Sequence, residues 1–267
     1  MDATDIDRGA RSIRRDVQRS APKMLSLAAT LLVTIACALP HVAARAADEA
    51  AAGTAPLKIG VIGTGHIGGN LATLWARAGH ELVISSRHPE ELQELARSLG
   101  PKVRAATPRE AAVFGDVILI SVPYMALPEL GRDLRSSLAG KIVLDTGNPY
   151  PQRDGAMAEE ARRKGTGVAS AEFLPGTRLV RAFNAINYND LKSEAHRAAP
   201  RVAIPLAGDD AEALAIAGRL VRDAGFDPVV VGPLSRAREF DVGTKVYTQL
   251  LTAPELRSEL GLPPERE

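Results

Sequence analysis

The residues of this sequence with the clearest chemistry are a glycine-rich hexapeptide and a serine–arginine pair. Gly63-Thr64-Gly65-His66-Ile67-Gly68 fits G-x-G-x-x-G. In a chain with 23 glycines that match alone is weak, but its setting strengthens it. It follows the apolar run Leu57-Lys58-Ile59-Gly60-Val61-Ile62 directly and opens the amphipathic stretch Ile67–Ala78. In such a strand–turn–helix, Gly63 permits a tight turn, Gly65 lets backbone amides approach a pyrophosphate and Gly68 lets the helix pack close, with the helix N-terminus facing the anion. Turn glycines without a ligand are the alternative. The second apolar run, Glu81-Leu82-Val83-Ile84, leads into Ser85-Ser86-Arg87-His88, where the ribose of a dinucleotide belongs. An NAD site places a carboxylate there for the 2′-hydroxyl. A serine hydroxyl beside a guanidinium suits a 2′-phosphate instead, so NADP(H) is the expected cofactor. The plain alternative makes Arg87 an ordinary surface cation.

Two further segments fall at strand ends. Val122-Pro123-Tyr124 closes a fourth apolar run and Asp145-Thr146-Gly147-Asn148-Pro149 a fifth, so both are expected at the carboxyl edge, lining the nicotinamide half of the cleft. Tyr124 either stacks or packs, and Asn148 either bonds a carboxamide or caps a turn. Trp75 reads as core. No His–Asp pair, paired carboxylates or metal-ligand spacing stands out, so no catalytic residue and no metal is assigned.

The elements that must position these groups alternate short apolar runs with longer amphipathic stretches, the signature of strands crossed by helices over a parallel sheet. Strands are expected at Leu57–Ile62, Glu81–Ser85, Lys102–Ala105, Asp116–Val122 and Lys141–Asp145. Helices are expected at Ile67–Ala78, Pro89–Leu99, Pro108–Val113 and Ala126–Leu138. The reading is α/β: a Rossmann-type doubly wound parallel sheet over 57–176, with a smaller C-terminal α/β extension over 177–267. The extension has strands at Leu179–Phe183, Val202–Ala207 and Pro228–Val231 and a helix at Asp210–Ala224. A last helix, Ser235–Leu251, is expected to cover the sheet or meet a partner subunit.

The first 46 residues read as targeting sequence. Arg8, Arg11, Arg14, Arg15, Arg19 and Lys23 precede the apolar run Leu25–Leu39, which is shorter than the ~20 residues that span a bilayer. Ala44-Arg45-Ala46 suits signal-peptidase cleavage before Ala47, and residues 47–56 read as a linker. Arg14-Arg15 is a loose twin-arginine pattern. A periplasmic or secreted chain is expected; a membrane anchor, or a cytoplasmic chain with a misassigned start, is the alternative. The only cysteine, Cys37, lies in the leader, so cleavage leaves no thiol for disulfide, nucleophilic or metal chemistry. A net charge of +1 gives no basic field of the kind nucleic acid requires.

Taken together, Gly63–Gly68, Ser86-Arg87, Val122-Pro123, Asn148-Pro149, Val180-Arg181-Ala182-Phe183-Asn184 and Asp223-Ala224-Gly225-Phe226 resemble the NADPH-dependent reductases of the deazaflavin coenzyme F420. The same fold serves as the NADPH domain of six-transmembrane ferric reductases, and the resemblance covers nearly all of 57–240. It implies that Thr64, His66, Ile67, Ser86 and Arg87 help to hold NADPH, that Phe183 and Asn184 lie near the nicotinamide, and that a homodimer forms. It also implies an oxidoreductase passing hydride between NADP(H) and a flat small-molecule acceptor, either coenzyme F420 or a flavin. A leader is a departure from that family, and many bacterial proteins of this shape come from sources not known to make the deazaflavin, which leaves the acceptor open. Two other readings stand beside it. One is a reductase of a small carbonyl or imine, for which Lys245, with Gln249 four residues on, loosely matches the catalytic lysine of 3-hydroxyacid dehydrogenases. The other is a non-catalytic NADP(H)-binding module.

Overall fold

The computed structural model describes residues 55–264. The leader with Cys37, the cleavage position and the linker up to Thr54 lie outside the described residues. Eight strands form one sheet in the order β3-β2-β1-β4-β5-β6-β7-β8. They are β1 Lys58–Ile62, β2 Glu81–Ser85, β3 Val103–Ala106, β4 Val117–Ile120, β5 Ile142–Asp145, β6 Arg178–Arg181, β7 Ala203–Gly208 and β8 Asp227–Gly232. Neighbours among β1 to β6 are parallel, β7 runs antiparallel to β6, and β8 is parallel to β7. This is the expected doubly wound sheet, and the C-terminal strands extend it. Parallel strands buried on both faces read as continuous apolar runs; Val117-Ile118-Leu119-Ile120 is one, all four residues buried. Strand order reverses between β1 and β4, and ligands of open α/β sheets settle in the crevice above such a switch point. Both Gly63–Gly68 and Val122-Pro123 lie there.

Helix α1, His66–Arg77, buries Leu71, Ala72, Leu74 and Trp75 on one face of the sheet. Trp75 is a core residue, as its spacing predicts: it is fully buried and its Nε1 donates to the Leu220 carbonyl at 2.8 Å, tying α1 to the helix Ala211–Asp223. The opposite face carries the helix Pro108–Phe114, started by a Thr107–Glu110 capping box, and the helix Thr166–Phe173.

A second tie, from the loop between α1 and β2 to the end of the helix Ala211–Asp223, titrates. The Leu57 amide donates to His80 Nδ1 at 3.0 Å, which leaves the ring proton on Nε2 to donate to Asp223 Oδ2, also at 3.0 Å. Burial pushes the imidazole pKa down, and the bond to Asp223 only partly opposes it. The unfolded chain therefore takes up this proton first as pH falls below about 6.5, so stability present above that pH is lost as pH drops toward the folded value. Melting temperatures from pH 8 to pH 5 are expected to fall more steeply for the wild type than for His80→Gln; equal slopes would contradict this.

Three expected elements differ. Pro89–Leu99 divides into a 3₁₀ turn, Pro89–Leu92, and the helix Gln93–Leu99. Ser235–Leu251 is not a helix: a 3₁₀ segment, Leu234–Phe240, ends at an extended Asp241. The chain then turns through Gly243 (φ +90°) and Thr248 (φ +57°) before the short helix Ala253–Glu259. The reason is polar. Asp241 is buried and accepts from the Thr166 amide at 3.0 Å, an anchor a continuous helix would have to break. The long helix expected to cover the sheet or meet a partner subunit is thus not present among the described residues. Ala126–Leu138 is split at Leu134 into Leu127–Asp133 and Arg135–Leu138. Among the described residues no helix is long and apolar enough to cross a membrane.

Candidate functional site

The turn after β1 is built to stay open. Gly63 has φ +93°, and a Cβ there would lie 2.3 Å from the Ser121 carbonyl oxygen. A Cβ on Gly68 would lie 2.0 Å from the Gly63 carbonyl oxygen. At Gly65, by contrast, an added Cβ meets nothing among the described residues within 4 Å. Gly65 is also the N-cap of α1, with no side-chain cap and no acidic residue in the first turn. Uncapped amides and the positive end of a three-turn helix therefore face open space, the arrangement that receives an anion. The Gly63 amide and the Thr64 hydroxyl both donate to the Ser85 carbonyl at 3.1 Å, locking the turn to the end of β2. His66 stacks on Tyr188 with centroids 4.5 Å apart, while Ile67 is half-buried against the core.

Beyond β2 the Ser86 hydroxyl accepts from the His88 amide at 3.0 Å. Arg87 is exposed and has no hydrogen bond or ion pair among the described residues. The nearby carboxylate of Glu90 lies 3.3 Å from His88 Nδ1. An open diphosphate cradle and an unpaired cation at the ribose position fit NADP(H).

At the other end of the crevice the expected residues divide. Pro123 is exposed and Val122 half-buried, but Tyr124 packs: it is fully buried, its hydroxyl 3.0 Å from Ser170 Oγ and its ring edge-to-face on Phe173. Burial pushes its phenol up. Phe183, expected beside the nicotinamide, turns inward. Its backbone is left-handed at φ +58°, rare for a bulky residue, and its ring packs in the core against Trp75 and Phe226. Asn184 is buried just beyond it.

The loop after β5 is held by a pair that sequence reasoning did not find. Asp145 and Arg181 are fully buried with Nη1 and Oδ2 2.6 Å apart; Arg181 also donates to the Gly147 carbonyl at 2.7 Å, and Asp145 Oδ1 accepts from the Gly147 amide at 2.8 Å. Desolvating two charges is costly, so a buried pair of this kind argues for a loop held in one conformation more than for added stability. The pair presents Asn148, whose Nδ2 donates to the Asn184 carbonyl at 2.7 Å. The Oδ1 atoms of Asn148 and Asn184 are buried without partners among the described residues. Only β4 separates β1 from β5, so Asn148 stands roughly 10 Å from the glycine turn, within reach of one extended dinucleotide. Tyr150, Arg153, Asp154 and Tyr247 complete this rim, and none was singled out beforehand as a site residue. The adjacency of Asn148-Pro149-Tyr150 was the available signal. Lys245 is an exposed residue paired with Glu259 at 2.8 Å and stands on no helix, which removes the support for a catalytic lysine. Among the described residues no three metal-ligating side chains come together.

Comparison with known proteins agrees with this geometry. The family model described as NADP oxidoreductase, coenzyme F420-dependent, matches residues 58–149. The F420-dependent NADP reductase of Methanothermobacter thermautotrophicus is 30% identical over 208 residues, covering 73% of this chain and 89% of that protein. The rat metalloreductase STEAP3 is 30% identical over 191 residues, 69% of this chain but 36% of its own length, so the chain spans about a third of that relative. A solved structure described as a putative F420-dependent NADP reductase from Arthrobacter shares the fold, with a TM-score of 0.58 at 24% identity over 68% of this chain and 87% of that one. On the open turn, the switch-point crevice and a relative matched over nearly its whole length, the chain belongs to the coenzyme F420-dependent NADP oxidoreductase family.

Proposed function

We propose that this chain binds NADP(H) across the β1/β4 crevice and catalyses hydride transfer between it and a flat acceptor, a deazaflavin such as coenzyme F420 or a flavin. The observation that carries the cofactor part is the uncapped helix N-terminus at an unobstructed Gly65. The amides of α1 receive the diphosphate, Ser86 and Arg87 receive the 2′-phosphate, and the Asn148 rim faces the nicotinamide. When bound, NADPH supplies the hydride. The protein supplies alignment, which this class of reaction needs more than acid–base chemistry. The acceptor part is supported by the family and by the rim described below. Mixing NADPH-loaded protein rapidly with coenzyme F420, FMN and FAD while following nicotinamide absorbance is expected to show oxidation by at least one of them; oxidation by none overturns the reading.

We also propose that the mature chain begins at Ala47 and works outside the inner membrane. Soluble NADPH is not expected in that compartment, so the exported protein would carry its dinucleotide with it. N-terminal sequencing of the exported fraction, with assay of retained nucleotide, tests both points: an intact N-terminus overturns the first and an empty site the second.

A further inference from the structure

Side chains at the β5 rim form a hydrogen-bond chain, Asn184–Asn148–Tyr247–Tyr150. The Asn184 carbonyl can only accept, so the atom of Asn148 facing it at 2.7 Å is the amide nitrogen. The second hydrogen of that nitrogen meets the Tyr247 hydroxyl at 3.4 Å, which therefore accepts. Tyr247 has one hydrogen to give, and its short contact, 2.7 Å, is with the Tyr150 hydroxyl. Either hydroxyl can give the hydrogen of this contact; with Tyr247 donating, Tyr150 accepts and its own hydrogen has no partner among the described residues. Burial and the bond to Tyr150 push the Tyr247 phenol pKa up, which keeps that hydrogen in place.

Tyr150 is half-buried and held at three points. Its amide donates to Asp154 Oδ2 at 2.8 Å, the Arg153 guanidinium lies 5.2 Å from its ring centroid, and its hydroxyl rests on Tyr247. The Asp154 side chain is fully buried. Burial raises its pKa, but bonds from Arg153 and from the Tyr150 and Met125 amides outweigh that and hold it below the usual carboxylate range. The Met125 bond, 3.2 Å, brings the exit of β4 to the same rim, and the Met125 side chain is 56% exposed there. A fixed phenolic donor with an empty hand thus shares an edge with an exposed thioether. Thioethers pack well on aromatic rings.

We propose that Tyr150 donates its free hydrogen bond to a ring carbonyl of the acceptor while Met125 packs on the ring, so that the two select a planar, carbonyl-bearing heteroaromatic. This rests on the hydride-transfer reading and adds to it the residues that orient the acceptor. The test needs no turnover: protein loaded with NADP⁺ is titrated with oxidised FMN and oxidised coenzyme F420 by fluorescence, and NADPH affinity is measured in parallel by calorimetry. Tyr150→Phe is expected to weaken acceptor binding about tenfold, the size of one lost hydrogen bond, and to leave the NADPH Kd within about twofold. Met125→Ala, an exposed change that does not put folding at risk, is expected to weaken acceptor binding about threefold. Acceptor affinity unchanged in either variant overturns the proposal, as does an equal loss of NADPH affinity in Tyr150→Phe. A wild-type chain that binds neither acceptor overturns it together with the hydride-transfer reading, whereas the preceding outcomes overturn it alone.

Discussion

Gly65→Val is expected to abolish NADPH binding while leaving the protein folded. The position has an ordinary φ of −81° and open space where the new side chain would stand, so the fold has no steric reason to object. Loss of a tolerated N-cap costs about 1 kcal/mol, which lowers the melting temperature by roughly 2–4 °C in a chain of this size. The same open space is where the diphosphate must sit. A branched side chain there keeps the ligand from the amides of His66 and Ile67, and the Kd for NADPH is expected to rise at least about 100-fold, or about 2.7 kcal/mol. Gly68→Val supplies the contrast. Its Cβ falls 2.0 Å from the Gly63 carbonyl oxygen, so that variant is expected to lose stability itself. Calorimetric titration beside thermal melts separates the two cases, and wild-type affinity in Gly65→Val would remove the glycine turn from the cofactor site.

Arg87→Asp is expected to exchange one cofactor preference for the other. The guanidinium is exposed and uncommitted, so removing it breaks no contact among the described residues and should not shift the melting temperature beyond about 1 °C. For NADPH the change removes a charge-assisted bond and places a carboxylate against the 2′-phosphate, raising Kd about 100-fold. For NADH the new carboxylate meets a ribose hydroxyl that it can accept from, so affinity holds or improves. Raised salt should narrow the wild-type preference, because a surface contact of this kind is screened. Equal Kd shifts for the two nucleotides would place the 2′-phosphate elsewhere.

What the sequence reveals and what it hides follow from how local each feature is. The glycine turn and the Ser86-Arg87 pair are readable because both are short and each follows an apolar strand whose period is plain. The Asp145–Arg181 pair is not, because its members lie 36 residues apart and meet only once β5 and β6 align in register. Phe183 was assigned by segment resemblance, which carries a residue's position but not the left-handed backbone that turns its ring inward. The helices Ala156–Lys164 and Thr166–Phe173 were missed because they pack through small residues. Ala158, Ala161, Gly167 and Ala169 give no apolar stripe, yet a Cβ on Gly167 would lie 2.1 Å from the Leu234 carbonyl oxygen. The error at Ser235–Leu251 ran the other way. Leu234, Ala237 and Phe240 have helical spacing and are buried, but the sequence continues into Asp241-Val242-Gly243, and the buried aspartate takes precedence over the pattern.

Because β7 runs against β6, the rim that six strands leave is the rim that β7 and β8 enter. Residues 184–202, on their way into β7, stand level with the loops departing β1, β4 and β5, and the stacking of Tyr188 on His66 marks where arriving chain touches departing chain. An insertion in that one crossover would reshape a wall of the crevice while the strands keep their order, and through Tyr188 it would bear on the glycine turn as well.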